Sequence, residues 1–369
     1  MADPLRVLVA GWLNSPHVVS WVEAVSAGGH EVHLAGRPMP DSPMAEVPAE
    51  MHRLPTGGPP LVRSLRMSRA LAGIAAAVEP DIVHAHWLPE FGWMAARERL
   101  TPLVCSAWGS DVFGVHGIGR NRSKRALQGS NLVLADSVPL ARATRDLAER
   151  DISVEVVRWG LDLQSFAPGD SMEARARLGI AHRGPLIASV RGFNPVYNPE
   201  LLLEAFAAVR SRVHAHLLFK FPLESASKEA ERVKAAINQL GISEAVTMLG
   251  NLPFERLPDV YRAADVIVSI ASTDSSPRSV WEALACGRPV VVSDLPWARD
   301  ELAPDREAVI TRLDRDSIAA AIERVLEDRA LARRLSEGGR ALAVSTLDQK
   351  ASIARIDALY HSLVGGRSA

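Results

Sequence analysis

The feature that most constrains the fold is a succession of short apolar segments that alternate with helical patterns from one end of the chain to the other. Such segments predict strands buried on both faces, and strands of this kind belong to parallel sheets covered by helices. The pattern runs in two series. The strands predicted in the first series are Leu5–Ala10, Glu31–Ala35, Asp81–Ala85, Pro102–Ser106, Leu132–Ala135 and Val154–Arg158. Those predicted in the second are Leu186–Val190, His214–Phe219, Ala245–Leu249, Asp265–Ile270, Pro289–Ser293 and Ala308–Ile310.

A linker separates the two series near Trp159–Asp170, where Pro168 and Gly169 interrupt the pattern. Each series is long enough for one doubly wound domain. We therefore predict an α/β protein of two such domains, residues 1–165 and 166–346. Three helical segments end the chain: Asp316–Glu327, Ala330–Ala343 and Gln349–Leu363.

Composition and charge exclude several classes of protein. Of the 369 residues, 47% are hydrophobic and 23% are charged, which excludes a disordered or fibrous chain. The formal net charge is −1, so the protein as a whole is not drawn to nucleic acid. The sequence lacks a signal-peptide pattern and an apolar run of membrane-spanning length, and its two cysteines, Cys105 and Cys286, suit a reducing compartment. We expect a cytoplasmic protein without a nucleic-acid partner.

The first candidate site is the loop after the first predicted strand, residues 11–17 (GWLNSPH). Ser15 fits a helix N-cap and Pro16 the first helical position. In open α/β sheets, loops at the carboxyl ends of strands bind ligands. The loop lacks the G-x-G-x-x-G pattern, which argues against a nicotinamide cofactor.

The second candidate site is residues 273–290 (TDSSPRSVWEALACGRPV), which follow a predicted strand. Ser276 fits a cap and Pro277 the start of a helix, whose first backbone N–H groups would face an anion such as a diphosphate. Glu282 lies about a turn and a half further on, where a carboxylate could accept hydrogen bonds from ribose. Asp274 precedes the helix and could reach a sugar.

The spacing of Asp274 and Glu282 resembles the Glu-x7-Glu motif of the family 4 retaining glycosyltransferases with the GT-B fold, with Asp274 in place of the first Glu. Other landmarks of this family are matched in order along nearly the whole chain. The matching segments are 81–86 (DIVHAH), 108–111 (WGSD), 135–137 (ADS), 159–162 (WGLD), 249–250 (LG) and 293–294 (SD).

The resemblance implies two Rossmann-like domains that face each other across a cleft. The N-terminal domain would bind the acceptor. The C-terminal domain would bind a nucleotide-sugar donor, with UDP or GDP as the favoured nucleotide. A last helix, about 347–364, would pack back on the first domain. The implied reaction moves a sugar from the nucleotide diphosphate to an acceptor hydroxyl with retention of configuration and without a metal or other cofactor. The acceptor is either a cell-envelope, polysaccharide or lipid-linked intermediate, or a natural-product small molecule.

The resemblance also implies roles for individual residues. The expected catalytic residues are Arg191, Lys220 and Asp274. The expected donor-binding residues are Leu252, Ser275, Ser276, Pro277, Arg278, Ser279 and Glu282. The expected acceptor-binding residues are Gly11, Asn14, His17 and Asp111.

The sequence departs from the family pattern in the cations and in one aromatic residue. Arg191 is present, but the loop after it, residues 192–198 (GFNPVYN), lacks the usual lysine, and Lys220 could supply that charge. Trp108 stands where many relatives have histidine. Trp108 and the missing loop lysine leave open a non-catalytic partner subunit of a glycosyltransferase. A nucleotide-sugar epimerase on the same fold is a second alternative.

Several other polar groups have simpler interpretations. Asp314 and Asp316 form an Asp-x-Asp pattern, but they precede a helix, where Asp is typical of a cap. The pair His84 and His86 is expected in the core or the cleft wall, without a metal. Two basic clusters suit either a solvated face or contact with an anionic membrane surface or phosphorylated acceptor, which would place the protein at the inner membrane face. They are Arg63, Arg66 and Arg69, on a helical pattern, and Arg120, Arg122, Lys124 and Arg125, in a predicted Gly-containing loop.

Overall fold

Residues 3–39, 44, 46–158, 160–221, 227–250 and 252–366 are described by the computed structural model of the chain. The chain divides into two units, residues 1–160 together with 350–369, and residues 161–349. The division falls at Gly160 rather than at 165. The reason is that the Leu161 N–H donates to the Leu347 carbonyl at 3.2 Å, which ties the intervening segment to the second unit.

Thirteen strands are present in the described residues, in two sheets. The strands are β1 (Arg6–Trp12), β2 (Glu31–Arg37), β3 (Glu50–Arg53), β4 (Ile82–His86), β5 (Leu103–Ser106), β6 (Leu132–Ala135), β7 (Val154–Val156), β8 (Leu186–Ser189), β9 (His216–Phe219), β10 (Val246–Met248), β11 (Val266–Ser269), β12 (Val290–Ser293) and β13 (Val309–Thr311).

Fifteen α-helices connect and cover these strands in the part of the chain that the structure describes. The helices are α1 (Pro16–Ala27), α2 (Pro60–Val78), α3 (Trp93–Arg97), α4 (Ser110–Phe113), α5 (Gly117–Gly129), α6 (Val138–Ala148), α7 (Ser171–Leu178), α8 (Pro199–Arg210), α9 (Lys228–Gln239), α10 (Leu257–Ala263), α11 (Arg278–Ala285), α12 (Pro296–Glu301), α13 (Arg315–Glu327), α14 (Arg329–Thr346) and α15 (Gln349–Gly365). Within these described ranges, no helix combines the length and hydropathy that crossing a bilayer requires.

Each unit contains one parallel sheet whose strand order reverses once. The order is β3-β2-β1-β4-β5-β6-β7 in the first unit and β10-β9-β8-β11-β12-β13 in the second. The reversals lie between β1 and β4 and between β8 and β11, and crevices at such points are where open α/β sheets bind ligands. Both sheets are buried between apolar clusters, as the apolar strands predict.

All twelve predicted strands are present, but β3 was not predicted. Its sequence, EMHR, has no apolar run, and three of its four residues are exposed. It pairs with β2 at the edge of the sheet, so neither burial nor hydrophobic alternation marks it in the sequence.

Of four local features predicted from the sequence, two helix starts are confirmed, and one helix cap and one loop are wrong. Ser15 and Pro16 begin α1 as predicted, and Asp314 caps α13 by accepting a hydrogen bond from the Ser317 N–H at 2.8 Å. The predicted cap at Ser276 is wrong, because Pro277 occupies the N-cap position of α11. The second basic cluster lies on helix α5 rather than in a loop.

The last helix, α15, belongs to the first unit. Its Tyr360 hydroxyl is buried, lies 2.5 Å from His84 Nδ1 and accepts a hydrogen bond from Trp21 Nε1 at 3.2 Å. Asp357 on the same helix contacts His30 Nε2 at 3.0 Å. The helix therefore completes the core of a unit whose strands precede it by some two hundred residues of sequence.

Asp111 holds together the loops after β4 and β5. Its carboxylate is fully buried and accepts hydrogen bonds from the backbone N–H of Trp108 at 2.8 Å and of Leu88 at 3.1 Å. Burial, which outweighs these bonds, raises the pKa of Asp111 to about 6. The carboxylate therefore fixes two loops at the carboxyl edge of the sheet, at the expense of a buried charge.

We expect the stability difference between the wild-type chain and an Asp111→Asn variant to depend on pH. The folded state binds the Asp111 proton more tightly than the unfolded state, so the contribution of this group is full below about pH 4 and is lost as pH rises through about 6. The wild-type chain should lose roughly 3 kcal/mol relative to the variant over this range. Urea unfolding of both proteins from pH 4 to 8 measures the difference.

An Asp314→Asn variant is the matched control for this experiment. The Ser317 N–H and hydroxyl lower the pKa of Asp314, so the wild-type advantage over this variant should grow as pH rises. A pH-independent difference for Asp111→Asn would contradict the prediction.

Candidate active site

The strand reversal in the second unit brings Arg191 and Asp274 together. Arg191 follows β8 and Asp274 follows β11, and these two strands are neighbours in the sheet. Arg191 Nη2 donates to Asp274 Oδ2 at 2.7 Å, and Nη1 donates to Ser279 Oγ at 3.1 Å. The guanidinium lies 4.1 Å from the ring centroid of Tyr197. Three groups therefore hold one cation at the switch point.

Asp274 is a mostly buried carboxylate in this arrangement. Its Oδ1 accepts a hydrogen bond from the Ser275 N–H at 3.1 Å. Burial raises the pKa of Asp274, and the adjacent Arg191 guanidinium opposes that rise. Arg191 and Asp274, two of the three expected catalytic residues, thus form one ion pair, so a ligand would meet them as a unit.

Glu282 is a buried residue with two partners rather than a solvated helix residue. It is only 4% exposed. Its Oε2 accepts a hydrogen bond from the Tyr261 hydroxyl at 2.5 Å, and its Oε1 accepts one from Arg278 Nε at 3.0 Å. Burial raises the pKa of Glu282, while the charge of Arg278 lowers it. Tyr261 is a residue of this site that the motif spacing did not predict.

The loop before α11 is fixed by the side chain of Ser276. Its hydroxyl accepts a hydrogen bond from Trp281 Nε1 at 2.7 Å and donates one to Glu301 Oε2 at 2.7 Å. Ser275 and Pro277 on either side are also buried. The first N–H groups of α11 are therefore held beside the Arg191–Asp274 pair through Ser279.

Two further expected residues lie in the second unit. Lys220 directly follows β9, and its ammonium is half-buried, 5.2 Å from the Phe221 ring. Burial lowers the pKa of Lys220, and the negative charge of Glu282 opposes this effect. Leu252 is half-buried and packs against the apolar cluster that contains Tyr261.

In the first unit, three expected acceptor residues lie near the carboxyl end of β1: Gly11 in the strand, Asn14 in the loop after it and His17 in the first turn of α1. Gly11 is buried, and a Cβ on it would lie 3.0 Å from the Val18 side chain. Asn14 Oδ1 accepts a hydrogen bond from the Met39 N–H at 2.6 Å. His17 is half-buried, with its ring 5.1 Å from that of Trp108. The fourth residue, Asp111, has no exposed oxygen, so it positions loops rather than offering an atom to an acceptor.

Three tryptophans form an aromatic cluster at the switch point of the first unit's sheet, and this cluster was not predicted from the sequence. The Trp12 ring lies 5.2 Å from the Trp87 ring and 6.0 Å from the Trp108 ring. Trp87 has a φ of 74°, an unusual conformation for a residue with a side chain. In the sequence, one tryptophan ends β1, and one follows each of β4 and β5. Only the order of these strands in the sheet brings the three tryptophans together.

The second basic cluster is partly neutralised by neighbouring groups. Lys124 and Arg120 pair with Glu149 on the adjacent helix end, the latter at 3.8 Å. The Arg122 guanidinium lies 4.1 Å from the Trp93 ring centroid. The first cluster, on α2, lies beside the exposed side chains of Leu61 and Val62. Membrane contact through either cluster stays a prediction.

Comparison with known families gives one match in each unit. Residues 170–342 match the family model described as glycosyl transferases group 1, and residues 6–137 match the model described as glycosyl transferase 4-like. The first match falls within the second unit and the second match within the first unit.

Curated relatives of this chain include two D-inositol 3-phosphate glycosyltransferases. The protein from Geodermatophilus obscurus is 31% identical over 281 residues, and that from Nocardia farcinica is 30% identical over 282 residues. The matches cover 70% and 71% of this chain and 62% of each relative. The chain therefore spans less than two thirds of the length of these relatives.

Solved structures similar to this one include a sucrose-phosphate synthase from Thermosynechococcus elongatus, with a TM-score of 0.86, 21% identity and coverage of 98% of this chain and 100% of that chain. Anabaena HepE, solved with UDP and glucose, has a TM-score of 0.83, 17% identity and coverage of 97% and 100%. The predicted fold class is confirmed: the chain belongs to the group 1, family 4-like glycosyltransferases and has the GT-B fold.

Proposed function

We propose that this chain transfers a glycosyl group from a nucleoside diphosphate sugar to an acceptor hydroxyl, with retention of anomeric configuration. The observation that carries the proposal is the cation at the strand reversal of the second unit, where Arg191 is held by Asp274 and Ser279 beside the buried Glu282. A UDP-sugar is the first donor to test, ahead of a GDP-sugar, because Anabaena HepE was solved with UDP-glucose.

Stabilisation of the departing diphosphate is the task we assign to Arg191 and Lys220. Negative charge grows on the diphosphate as the sugar leaves, and fixed cations lower the barrier more than mobile ones do. The guanidinium of Arg191 is fixed by an ion pair, a hydroxyl and an aromatic ring. The first N–H groups of α11 add partial positive charge. These groups together supply the charge that a metal ion would otherwise provide, and we propose a metal-independent reaction.

We assign the two carboxylates to the donor's two sugar rings. Glu282 already accepts two hydrogen bonds, but an ionised carboxylate offers about four acceptor positions, which leaves room for ribose hydroxyls. Asp274 would orient the transferred sugar while it holds Arg191. The donor-facing loop of Ser275, Ser276 and Pro277 would contribute its shape and its backbone N–H groups, with Leu252 against the nucleoside.

The acceptor is assigned to the aromatic cluster of the first unit. Flat indole faces such as those of Trp12, Trp87 and Trp108 suit the C–H faces of a sugar or polyol ring, and the half-buried His17 offers a polar atom beside them. The similarity to D-inositol 3-phosphate glycosyltransferases makes a phosphorylated polyol the first acceptor to test. Lipid-linked or polysaccharide intermediates and natural-product hydroxyls complete the panel.

We expect the purified chain to form a glycoside from a UDP- or GDP-sugar and this acceptor panel, in excess EDTA, with the donor's anomeric configuration retained. Arg191 and Lys220 replace a metal ion, so chelation should leave the initial rate unchanged. Proton NMR of the first product formed reports the configuration. An inverted product, or strict dependence on a divalent ion, would contradict the mechanism.

Donor without acceptor is the control for this experiment. An epimer formed from the donor alone would identify an epimerase. Donor binding without turnover over the whole panel would identify a non-catalytic partner subunit.

We expect Arg191→Ala to lower kcat by about 10²–10³-fold while raising the donor KM by less, because the cation acts more strongly on the transition state than on the ground state. Lys220→Ala should have the same signature. If both cations serve one phosphate group, the double variant should lose less than the product of the two effects. Steady-state kinetics with donor and acceptor each varied measures these values.

Arg212→Ala is the matched control, because Arg212 pairs with Glu323 on the surface of the same unit. Circular dichroism of each variant checks the fold. A silent Lys220→Ala beside an inactive Arg191→Ala would show that the second cation is a different residue, and Arg278 is the next to test.

A further inference from the structure

The edge of the first sheet carries a cluster of histidines and glutamates outside the site described above. In the β2–β3 pair, His33 lies opposite Glu50 and Ala35 lies opposite His52. Because side chains alternate along a strand, Glu50 and His52 share one face of β3, and His33 shares a face of β2 with Glu31. The parallel register thus places these four side chains on one face of the sheet edge. Each of them could bind a metal ion directly or hydrogen-bond to a side chain that does.

The distances within this cluster leave two ring nitrogens facing each other. His33 Nε2 lies 3.0 Å from Glu31 Oε1, so the proton of this ring is on Nε2, and the lone pair of Nδ1 is on the opposite side. His33 Nδ1 therefore accepts a hydrogen bond from His52 Nε2 at 3.2 Å, and a metal ion would take the place of the shared proton. His33 Nδ1 also lies 3.6 Å from Glu50 Oε2. His52 Nε2 lies 3.9 Å from Glu50 Oε1.

We propose that His33 Nδ1, His52 Nε2 and the Glu50 carboxylate bind a divalent transition-metal ion of the zinc type. Zinc–nitrogen bonds of about 2.0–2.1 Å in tetrahedral geometry place two ligand nitrogens about 3.3 Å apart. The nitrogens of His33 and His52 are already at 3.2 Å. Glu50 has an exposed side chain and needs only a small adjustment, and water completes the fourth position.

Glu31 would not bind the ion itself; it would orient His33 by accepting a hydrogen bond from its ring. Histidines that bind metals almost always donate their other ring N–H to a carboxylate or carbonyl, which fixes the tautomer and makes the ring a better ligand. Glu31 accepts from His33 in this way, and its second oxygen is held by Arg6 Nε at 3.1 Å. The lone pair of His33 Nδ1 is therefore fixed in the direction of His52 and Glu50.

A second histidine cluster in the same unit lacks this chemistry. His30, Asp357 and His361 also place three ligand atoms close together. However, His30 Nδ1 accepts a hydrogen bond from the Leu5 N–H at 3.1 Å, so Nε2 carries the proton and donates to Asp357 at 3.0 Å. Its ring has no lone pair directed at the cluster. This set serves as the internal control.

The ion would fasten β3 to the rest of the sheet. This strand has four residues, largely exposed, at the sheet edge. A metal bridge between β2 and β3 would hold the strand in register and cover part of an open edge. The site shares no residue with the proposed transferase machinery, so the proposal stands independently of that function.

Equilibrium dialysis of the EDTA-stripped, tag-free chain against Zn²⁺, and titration with Co²⁺, test the proposal. We expect one zinc ion per chain and a visible Co²⁺ spectrum of tetrahedral type with nitrogen ligands. His52→Gln and Glu50→Gln should each weaken zinc binding at least tenfold. Glu31→Gln, which removes the charge that orients His33, should weaken it about 10–100-fold. The control His361→Gln should bind zinc as the wild-type chain does.

Three results would overturn the proposal. They are absence of bound zinc in the wild-type chain, unchanged affinity in His52→Gln and Glu50→Gln, and loss of affinity in His361→Gln. Circular dichroism checks that each variant is folded. The Co²⁺ spectrum of the wild-type chain decides the ligand type without any substitution, so the outcome does not depend on how the variants fold.

Discussion

The ion pair between Arg191 and Asp274 connects the two halves of the second sheet at the one place where its strand order reverses. The strands on either side of this place, β8 and β11, are far apart in the sequence. The loops that follow them meet only because the two strands are neighbours in the sheet. Removing either partner would leave an uncompensated buried charge, which typically costs about 3–5 kcal/mol. The hydroxyl of Ser279, the ring of Tyr197 and the first turn of α11 are all arranged around this pair.

The same physical solution recurs at three buried carboxylates. Asp111, Asp274 and Glu282 each have a pKa raised by burial, and each is compensated by donors from the chain. The donors differ, and so do the consequences. Backbone N–H groups around Asp111 make a rigid loop junction, whereas the arginines beside Asp274 and Glu282 create local pairs of opposite charge. A ligand with negative charge would find its counterions already fixed in the second unit.

The sequence predicted the fold well because burial and periodicity are properties of single segments. Every apolar run became a strand, and the strand that was missed, β3, is polar and lies at an edge. The candidate site was predicted less completely, because its features depend on pairs. The burial of Glu282 follows from Tyr261 and Arg278, and the tryptophan cluster follows from strand order. Neither a partner nor a strand order can be derived from the spacing of one motif.

The docking of α15 through Tyr360 has a consequence for biogenesis. Synthesis of the chain produces the strands of the first unit first, but the helix that covers Trp21 and His84 emerges only after the whole second unit. At about 5–20 residues per second, the second unit occupies the ribosome for roughly ten to forty seconds. During that time the first unit exposes an unfinished apolar face. Of the two units, the one that is synthesised first is thus the last to be completed.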